Sequence, residues 1–127
     1  MDIRYSLTAL DCPDPAALAA FYSRLTGFTF QPLDDVSAAQ MDWIEIGNDA
    51  GNRLAFQKVA SYVAPTWPEG PVPPQVHLDF DVDDLDEGEA FVLSLGARKP
   101  SFQPGDSFRV YLDPAGHPFC LVLSGES

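Results

Sequence analysis

A pattern of strand, helix and three further strands occurs twice in this chain of 127 residues. The helices of the two copies end in similar segments, FYSRLTG at Phe21–Gly27 and FVLSLG at Phe91–Gly96. The last strands are also similar, LAFQKV at Leu54–Val59 and HPFCLV at His117–Val122. Each copy alone would leave one face of its sheet bare. We therefore predict an α+β fold in which two βαβββ repeats form one curved mixed sheet, with the helices outside.

A proline-rich segment separates the two copies. The sequence APTWPEGPVPP, at 64–74, contains five prolines. Proline lacks a backbone N–H, so this segment cannot form a helix or a central strand. The chain length fits one domain. We predict a single domain at 1–127, with repeat one at 1–63, a stiff linker at 64–74 and repeat two at 75–127.

The first repeat contains clear signals for a helix. Asp14 is placed to cap a helix, Pro15 is suited to its first position, and Gly27 is suited to end it. Apolar residues recur on one face between these positions. The predicted helix is Ala16–Thr26, and the predicted strands of this repeat are Ile3–Leu10, Phe28–Leu33, Met41–Ile46 and Arg53–Val59, with a polar connection at Asp34–Gln40.

The second repeat begins with an alternating segment, VHLDFDV at Val76–Val82. Alternation places its apolar residues on one face of a strand, and His77, Asp79 and Asp81 on the other. That polar face suits either a surface open to water or the floor of a polar cavity. The predicted helix of this repeat is Leu85–Leu95, and its remaining strands are predicted at Ala97–Ser101, Ser107–Leu112 and Pro118–Leu123.

Composition excludes several classes of function. The formal net charge of −12 argues against binding to nucleic acids and to anionic membranes. No apolar segment has the roughly 18 to 20 residues of a membrane span, and the N-terminal sequence does not resemble a signal peptide. We therefore expect a cytoplasmic protein. Cys12 and Cys120 are expected to be free thiols, because two cysteines without a CxxC pattern indicate neither a disulfide framework nor a structural zinc site.

Three segments together resemble the vicinal oxygen chelate superfamily: the helix with its cap at Asp14–Gly27, VHLDFDVDDLD at Val76–Asp86 and DPAGHPFCLV at Asp113–Val122. That superfamily includes glyoxalase I, extradiol dioxygenases, fosfomycin-modifying enzymes and bleomycin-binding resistance proteins. The chain is most similar to its small glyoxalase-like branch. The resemblance implies the glyoxalase/bleomycin resistance/dihydroxybiphenyl dioxygenase-like fold, a cup that receives a small molecule, and a homodimer.

The resemblance also implies where a metal would be held. The four ligand positions of metal-using members correspond here to Leu7, Gln57, His77 and Cys120. His77 matches the pattern and Gln57 offers a neutral oxygen, whereas Leu7 has no donor atom and Cys120 replaces a glutamate. One hypothesis is therefore a divalent-metal-dependent lyase or dioxygenase, in which His77, Gln57 and Cys120 hold Zn, Fe, Ni or Mn.

The hypothesis that we favour is a small-molecule-binding cup without a complete metal site. Ligand pockets are mostly apolar, with a few placed polar groups. Trp67 from the linker is a candidate for an aromatic wall of this cup. Arg109 is expected to lie on the inward face of its strand, where it could bind an anionic ligand. The predicted ligand-binding residues are Trp43, Gln57, Asp79, Phe102, Arg109 and Tyr111.

Other interpretations of the same residues stay open. His77 is a candidate for general acid–base catalysis, to which histidine side chains are suited, and it equally suits a hydrogen-bonded core histidine. Cys120 on a buried strand suits a small buried side chain with an inert thiol. Trp43 and Tyr111 also suit the core, and Arg109 suits an ion pair with Glu45 or Asp79.

Overall fold

The chain divides into two units, Met1–Tyr62 and Val63–Ser127, and in each the first regular elements are a strand and then a helix. The computed structural model describes residues 1–32 and 41–124. The first unit contains β1 (Thr8–Cys12), α1 (Pro15–Thr26), β2 (Thr29–Phe30), β3 (Trp43–Gly47) and β4 (Arg53–Lys58). The second contains β5 (Leu78–Val82), α2 (Leu85–Ser94), β6 (Phe108–Leu112) and β7 (Pro118–Leu123).

The first unit is a four-stranded mixed sheet covered by α1. Its strand order is β1-β4-β3-β2, in which β1 runs parallel to β4 and the other pairs are antiparallel. Helix α1 begins as the sequence predicts, because the Asp14 carboxylate accepts a hydrogen bond from the N–H of Ala17 at 3.2 Å. It ends at Gly27, which has a φ of 80°. Tyr22 of α1 stacks on Phe56 of β4, with 5.7 Å between ring centroids, so the helix covers the apolar face of the sheet.

The second unit repeats this topology with one strand fewer. Its order, β5-β7-β6, has the same parallel and antiparallel pairings as β1-β4-β3. The predicted α+β class and the two βαβββ-like units with mixed sheets are therefore confirmed. The strand predicted at Ala97–Ser101 is wrong, since only Arg98 forms an isolated bridge, to Leu112. Pro100 follows shortly after and has no N–H with which to extend a ladder.

The predicted start of the first strand is also wrong. We expected it at Ile3, whereas β1 begins at Thr8. Thr8 pairs with Leu54, and the partner strand begins only one residue earlier, at Arg53. Residues before Thr8 therefore have almost no length of β4 to pair with, and Ile3 is 82% exposed. Leu33 and the connection predicted at Asp34–Gln40 lie outside the described residues.

The proline-rich segment at 64–74, which we predicted as a linker, belongs to the second unit. There Trp67 contacts Phe102, with 5.8 Å between the ring centroids. Both cysteines are free and buried, as the sequence predicts. Among the described residues, neither helix has the length and apolar character needed to cross a membrane.

The two faces of the second sheet have different surroundings. On one face α2 packs closely, because a side-chain atom added at Gly88 would lie 3.0 Å from Cδ1 of Leu121. Phe119 and Tyr111 stack on this face, with 5.7 Å between ring centroids. Adjacent residues of a strand point to opposite faces. Cys120 of β7 therefore lies on the other face, which contains the candidate site.

A buried aspartate stabilises the turn between β6 and β7. Asp113 is fully buried, and its Oδ1 accepts hydrogen bonds from the N–H groups of Ala115, at 2.9 Å, and His117, at 3.0 Å. We expect Asp113→Ala to lower the free energy of unfolding by about 1 to 2 kcal/mol, because it leaves these donors without that acceptor. Urea denaturation measures the change. Asp113→Asn retains one side-chain oxygen and should cost less; equal stability of Asp113→Ala and the wild type would contradict this account.

Candidate functional site

The polar face of β5 forms one wall of a cavity in the second unit. His77, Asp79 and Asp81 alternate with the apolar residues of this segment, and all three line the cavity. The neighbouring strand β7 runs parallel to β5, with Asp79 directly opposite Cys120. The alternation visible in the sequence and the register of two strands thus place an imidazole, two carboxylates and a thiol along one wall.

Two adjoining cavities share part of this wall. One has a volume of about 480 Å³ and is lined by the polar residues just described, with Phe108. The other has a volume of about 340 Å³, and its walls include Trp67, Phe108 and Val110. His77, Phe108 and Cys120 line both, so the two cavities adjoin each other. We call the two cavities together the cup; it has a polar end at β5 and an aromatic end at Trp67.

Three donor groups converge at the polar end of the cup. His77, Asp79 and Cys120 each place one nitrogen, oxygen or sulfur atom within 4.8 Å of the other two. Nε2 of His77 lies 3.3 Å from Oδ1 of Asp79. The side chains of His77 and Asp79 are each 57% exposed, whereas Cys120 is buried. Two accessible donors and one buried donor therefore surround one point on the wall.

The surroundings of Cys120 keep its thiol protonated. Burial raises the pKa of this thiol to about 11, and the charge of Asp79 and a hydrogen bond to its carboxylate act in the same direction. A protonated thiol is a poor nucleophile. Cys120 as it stands is thus a donor to Asp79, in agreement with the inert thiol expected from its position on a buried strand.

Arg109 and Tyr111 lie on the opposite face of the sheet from the cup. Nη2 of Arg109 is 3.0 Å from Oδ1 of Asp86, and Nη1 is 3.3 Å from Oε1 of Glu89, both on α2. The hydroxyl of Tyr111 donates to the same oxygen of Glu89 at 2.9 Å. The expectation that Arg109 lies on the inward face is corrected by the register, because Val110, not Arg109, is opposite Cys120.

The charged side chains around Glu89 form ion pairs with one another within the second unit. Lys99 also contacts Glu89, with 2.7 Å between Nζ and Oε1. Its hydrogen bond is the largest cause of a lowered pKa of Glu89, which burial partly opposes. Burial, followed by the hydrogen bond to Glu89, raises the pKa of Tyr111. Arg109 and Tyr111 therefore anchor α2 to β6, and the structure does not bring them to the cup.

Three further residues were predicted to bind a ligand: Trp43, Gln57 and Phe102. Trp43 and Gln57 belong to the first unit, where they are register partners on β3 and β4, and Nε1 of Trp43 donates to Glu45 at 2.8 Å. Phe102 is 53% exposed and contacts Trp67, a residue of the cup wall. Phe108 is a cup residue that our prediction missed. The alternation of β6 identifies it, because Phe108 lies two residues before Val110, and Val110 is the register partner of Cys120.

The cup belongs to a fold that recurs in known proteins. The family described as "Glyoxalase-like domain" matches residues 8–122. The chain belongs to this family. No curated protein matches it.

Solved structures of similar proteins share the fold of this glyoxalase-like domain. A glyoxalase/bleomycin resistance protein/dioxygenase family enzyme from Burkholderia phytofirmans is 18% identical, with 93% of this chain and 96% of that chain covered and a TM-score of 0.66. A glyoxalase/dioxygenase from Nostoc punctiforme is 18% identical, with 97% and 92% covered and a TM-score of 0.67. The fosfomycin resistance protein FosX from Listeria monocytogenes is 17% identical, with 96% and 91% covered and a TM-score of 0.67. Identities this low establish the fold and leave the ligand to be argued from the site.

Within the second unit of this glyoxalase-like domain, the donor groups near one another are two of the residues that the resemblance implied, together with Asp79. Leu7 has no donor atom, and Gln57 lies in the first unit. In the second unit the donors near one another are His77, Cys120 and Asp79. Imidazole, thiolate and carboxylate are all ligands of zinc and of neighbouring transition metals, so these residues fit such an ion.

Proposed function

We propose that this glyoxalase-like domain binds a small molecule in the cup, namely a ligand with a planar apolar body and a neutral or cationic polar end. The observation that carries the proposal is that an aromatic-lined cavity and a polar cavity adjoin and share His77, Phe108 and Cys120 as lining residues. The volume of each cavity falls in the range of about 300 to 1,000 Å³ that is typical of ligand sites, which are mostly apolar with a few placed polar groups.

The aromatic end supports a planar ligand body. Trp67 and Phe108 face the cavity there, together with Val110 and the proline rings of Pro104 and Pro118. These side chains present rigid apolar surfaces, so covering them with a ligand costs little side-chain entropy. A flat aromatic group gains both burial and ring contacts in such a space.

The polar end supports a ligand without negative charge. Asp79 and Asp81 face the cavity, and none of the described residues that line the cup is lysine or arginine. Arg109, which we expected to meet an anionic ligand, is paired with Asp86 and Glu89 on the other face of the sheet. A carboxylate ligand would therefore lose hydration and meet like charges.

The test uses three naphthyl compounds of equal size: an alcohol, an amine and a carboxylate. Trp43→Phe leaves Trp67 as the single tryptophan, so its fluorescence reports binding at the aromatic end. In chelator-treated protein we expect saturable binding of the alcohol and the amine, and binding of the carboxylate weakened at least about tenfold by like charges.

Matched variants assign that binding to the cup. By calorimetry, Trp67→Ala or Phe108→Ala should weaken binding of the alcohol, whereas Phe91→Ala, on the exposed surface of α2, should leave it unchanged. Absence of saturable binding by all three compounds would overturn the proposal. Binding that survives the double replacement of Trp67 and Phe108 would place the ligand elsewhere.

A further inference from the structure

We infer that Gln103 is a positioning residue for the aromatic end of the cup, and that it makes the cup selective for flat ligands. Its side-chain amide holds the segment 102–105 against the outer edge of β6. The rings of Trp67 and Phe108, which line the cup, both rest on this segment. The inference rests on the proposed function and adds to it a residue outside the cup lining.

The amide of Gln103 takes the place of a neighbouring strand beside β6. Strand β6 lies at one end of its sheet, and such strands present N–H and C=O groups that need partners. At Leu112 these groups pair with the backbone of Arg98. At Val110 they pair with Gln103, whose Oε1 accepts from the N–H at 2.8 Å and whose Nε2 donates to the C=O at 2.9 Å. The side chain thus continues the ladder that the backbone begins.

A third hydrogen bond connects the same amide to its own loop. Nε2 of Gln103 also donates to the C=O of Pro100, at 3.0 Å. One acceptor oxygen and two donated hydrogens are therefore used in a single orientation of the amide. Because these bonds converge on one side chain, the residues on both sides of Gln103 have a fixed position relative to β6.

The segment 102–105 supports both aromatic rings of the cup. Trp67 contacts Phe102, with 5.8 Å between ring centroids. Phe108 packs against Gly105, since a side-chain atom added at Gly105 would overlap the ring of Phe108. Pro104, between these two supports, lines the cavity itself. The separation of the two rings therefore depends on the position of this segment, and so on Gln103.

The loop that presents Trp67 is closed by hydrogen bonds of its own. The N–H of Thr66 donates to the C=O of Val72 at 2.6 Å. The hydroxyl of Thr66 donates to the same C=O at 3.1 Å and accepts from the N–H of Val72 at 3.2 Å. Loss of Gln103 should therefore displace Phe102 from the Trp67 ring and leave the backbone of Trp67 in place. Rings held at a fixed separation bind a flat group without rearrangement, which favours its affinity.

The first test compares the naphthyl alcohol with its fully hydrogenated decahydronaphthyl counterpart, which is thicker. Gln103→Met retains the length of the side chain and removes all three hydrogen bonds. By calorimetry, we expect the wild type to bind the naphthyl alcohol at least about tenfold more tightly than the saturated alcohol, and Gln103→Met to reduce this ratio to within about threefold. Equal binding of the two alcohols by the wild type, or an unchanged ratio in Gln103→Met, would overturn the inference.

The second test needs no ligand. In the Trp43→Phe background Trp67 is the single tryptophan. Gln103→Met should raise the rate at which acrylamide quenches its fluorescence at least about twofold, because Phe102 no longer covers the ring. Unchanged quenching would show that Gln103 does not position Phe102, whether or not a ligand binds. If quenching responds while the wild type binds none of the naphthyl compounds, the proposed function and the selectivity fail, and the positioning by Gln103 is supported.

An independent variant moves the second ring. Gly105 is not among the glycines with positive φ, so alanine can adopt its backbone conformation. Gly105→Ala should weaken binding of the naphthyl alcohol at least about tenfold by displacing the ring of Phe108, and should have no further effect in a Phe108→Ala background. An additional loss in that background would mean that Gly105 acts on the cup by another route.

Two controls separate positioning from general damage, and circular dichroism checks that each variant folds. Gln31→Met makes the same change in the first unit, where Nε2 of Gln31 donates to the C=O of Thr29 at 3.0 Å. Glu89→Ala removes an anchor of α2 on the other face of the second sheet. Both should leave the ratio of affinities and the quenching unchanged. A response to Glu89→Ala as large as that to Gln103→Met would attribute the effect to lost stability and overturn the inference.

Discussion

Phe119→Ala is expected to lower the free energy of unfolding by about 3 to 5 kcal/mol, the usual cost of removing a fully buried aromatic side chain. Phe119 is completely buried on the α2 face of the second sheet. Its ring stacks on Tyr111, at 5.7 Å, and meets Phe80 edge-on, at 6.1 Å between centroids. Replacement by alanine would leave a cavity between these two rings.

The size of this effect matters because small domains have a total stability of only about 5 to 15 kcal/mol. Urea denaturation of the full chain, followed by circular dichroism, measures the change. Phe91→Ala is the matched control: it removes the same side chain from an exposed position on α2 and should cost less than about 1 kcal/mol. Equal effects of the two replacements would contradict the packing described for β7.

The same strand connects this core to the cup. Phe119 and Cys120 are consecutive residues of β7 and point to opposite faces. The packing of Phe119 against Tyr111 and Phe80 therefore holds the thiol in place on the other face. A variant that loosens Phe119 should also weaken the site, even though Phe119 itself does not line the cup.

The features that the sequence predicts well depend on local patterns. Asp14, Pro15 and Gly27 are sufficient to predict helix α1, because a cap, a first-turn proline and a terminal glycine act within a few residues. The polar face of β5 follows from strict alternation. That pattern alone is enough to place His77 and Asp79 side by side on one face.

The features that the sequence predicts poorly depend on contacts between distant segments. In β6, alternation alone does not predict whether Arg109 or Val110 faces the cup. Arg109 and Tyr111 both donate hydrogen bonds to Glu89 on α2, twenty residues before Arg109, and these contacts fix their side chains on the α2 face of the sheet. The start of β1 depends on where β4 begins. The convergence of Asp79 with Cys120 likewise depends on the register of β5 and β7, which a single sequence does not specify.

Glu89→Ala is expected to destabilise the protein by about 3 kcal/mol, because Glu89 accepts from charged groups and from a buried hydroxyl. One carboxylate oxygen receives Lys99 at 2.7 Å, Tyr111 at 2.9 Å and Arg109 at 3.3 Å. Without Glu89, the hydroxyl of Tyr111 loses this acceptor in the interior. If removal of Glu89 costs less than about 0.5 kcal/mol, the group does not anchor α2.

A double-mutant cycle isolates the buried part of this interaction. Tyr111→Phe removes the hydroxyl, so Glu89→Ala should cost about 1 kcal/mol less in that background than in the wild type.

The same variant tests the location of the cup. Tyr111→Phe should leave naphthyl alcohol binding unchanged, and weakened binding would mean that Tyr111 contacts the ligand after all.

The acid dependence of stability provides an independent measure of Glu89. The hydrogen bond from Lys99 is the largest cause of the lowering of its pKa below the ordinary value of 4.5. A carboxylate with a lowered pKa contributes stability above its unfolded pKa and loses it as the pH falls through the folded pKa. Glu89→Gln cannot ionise, so its free energy of unfolding should fall less steeply below about pH 4.5 than that of the wild type. Parallel curves for the two proteins would show that Glu89 ionises alike in the folded and unfolded chain, and that its contacts with Lys99 and Arg109 contribute nothing through charge.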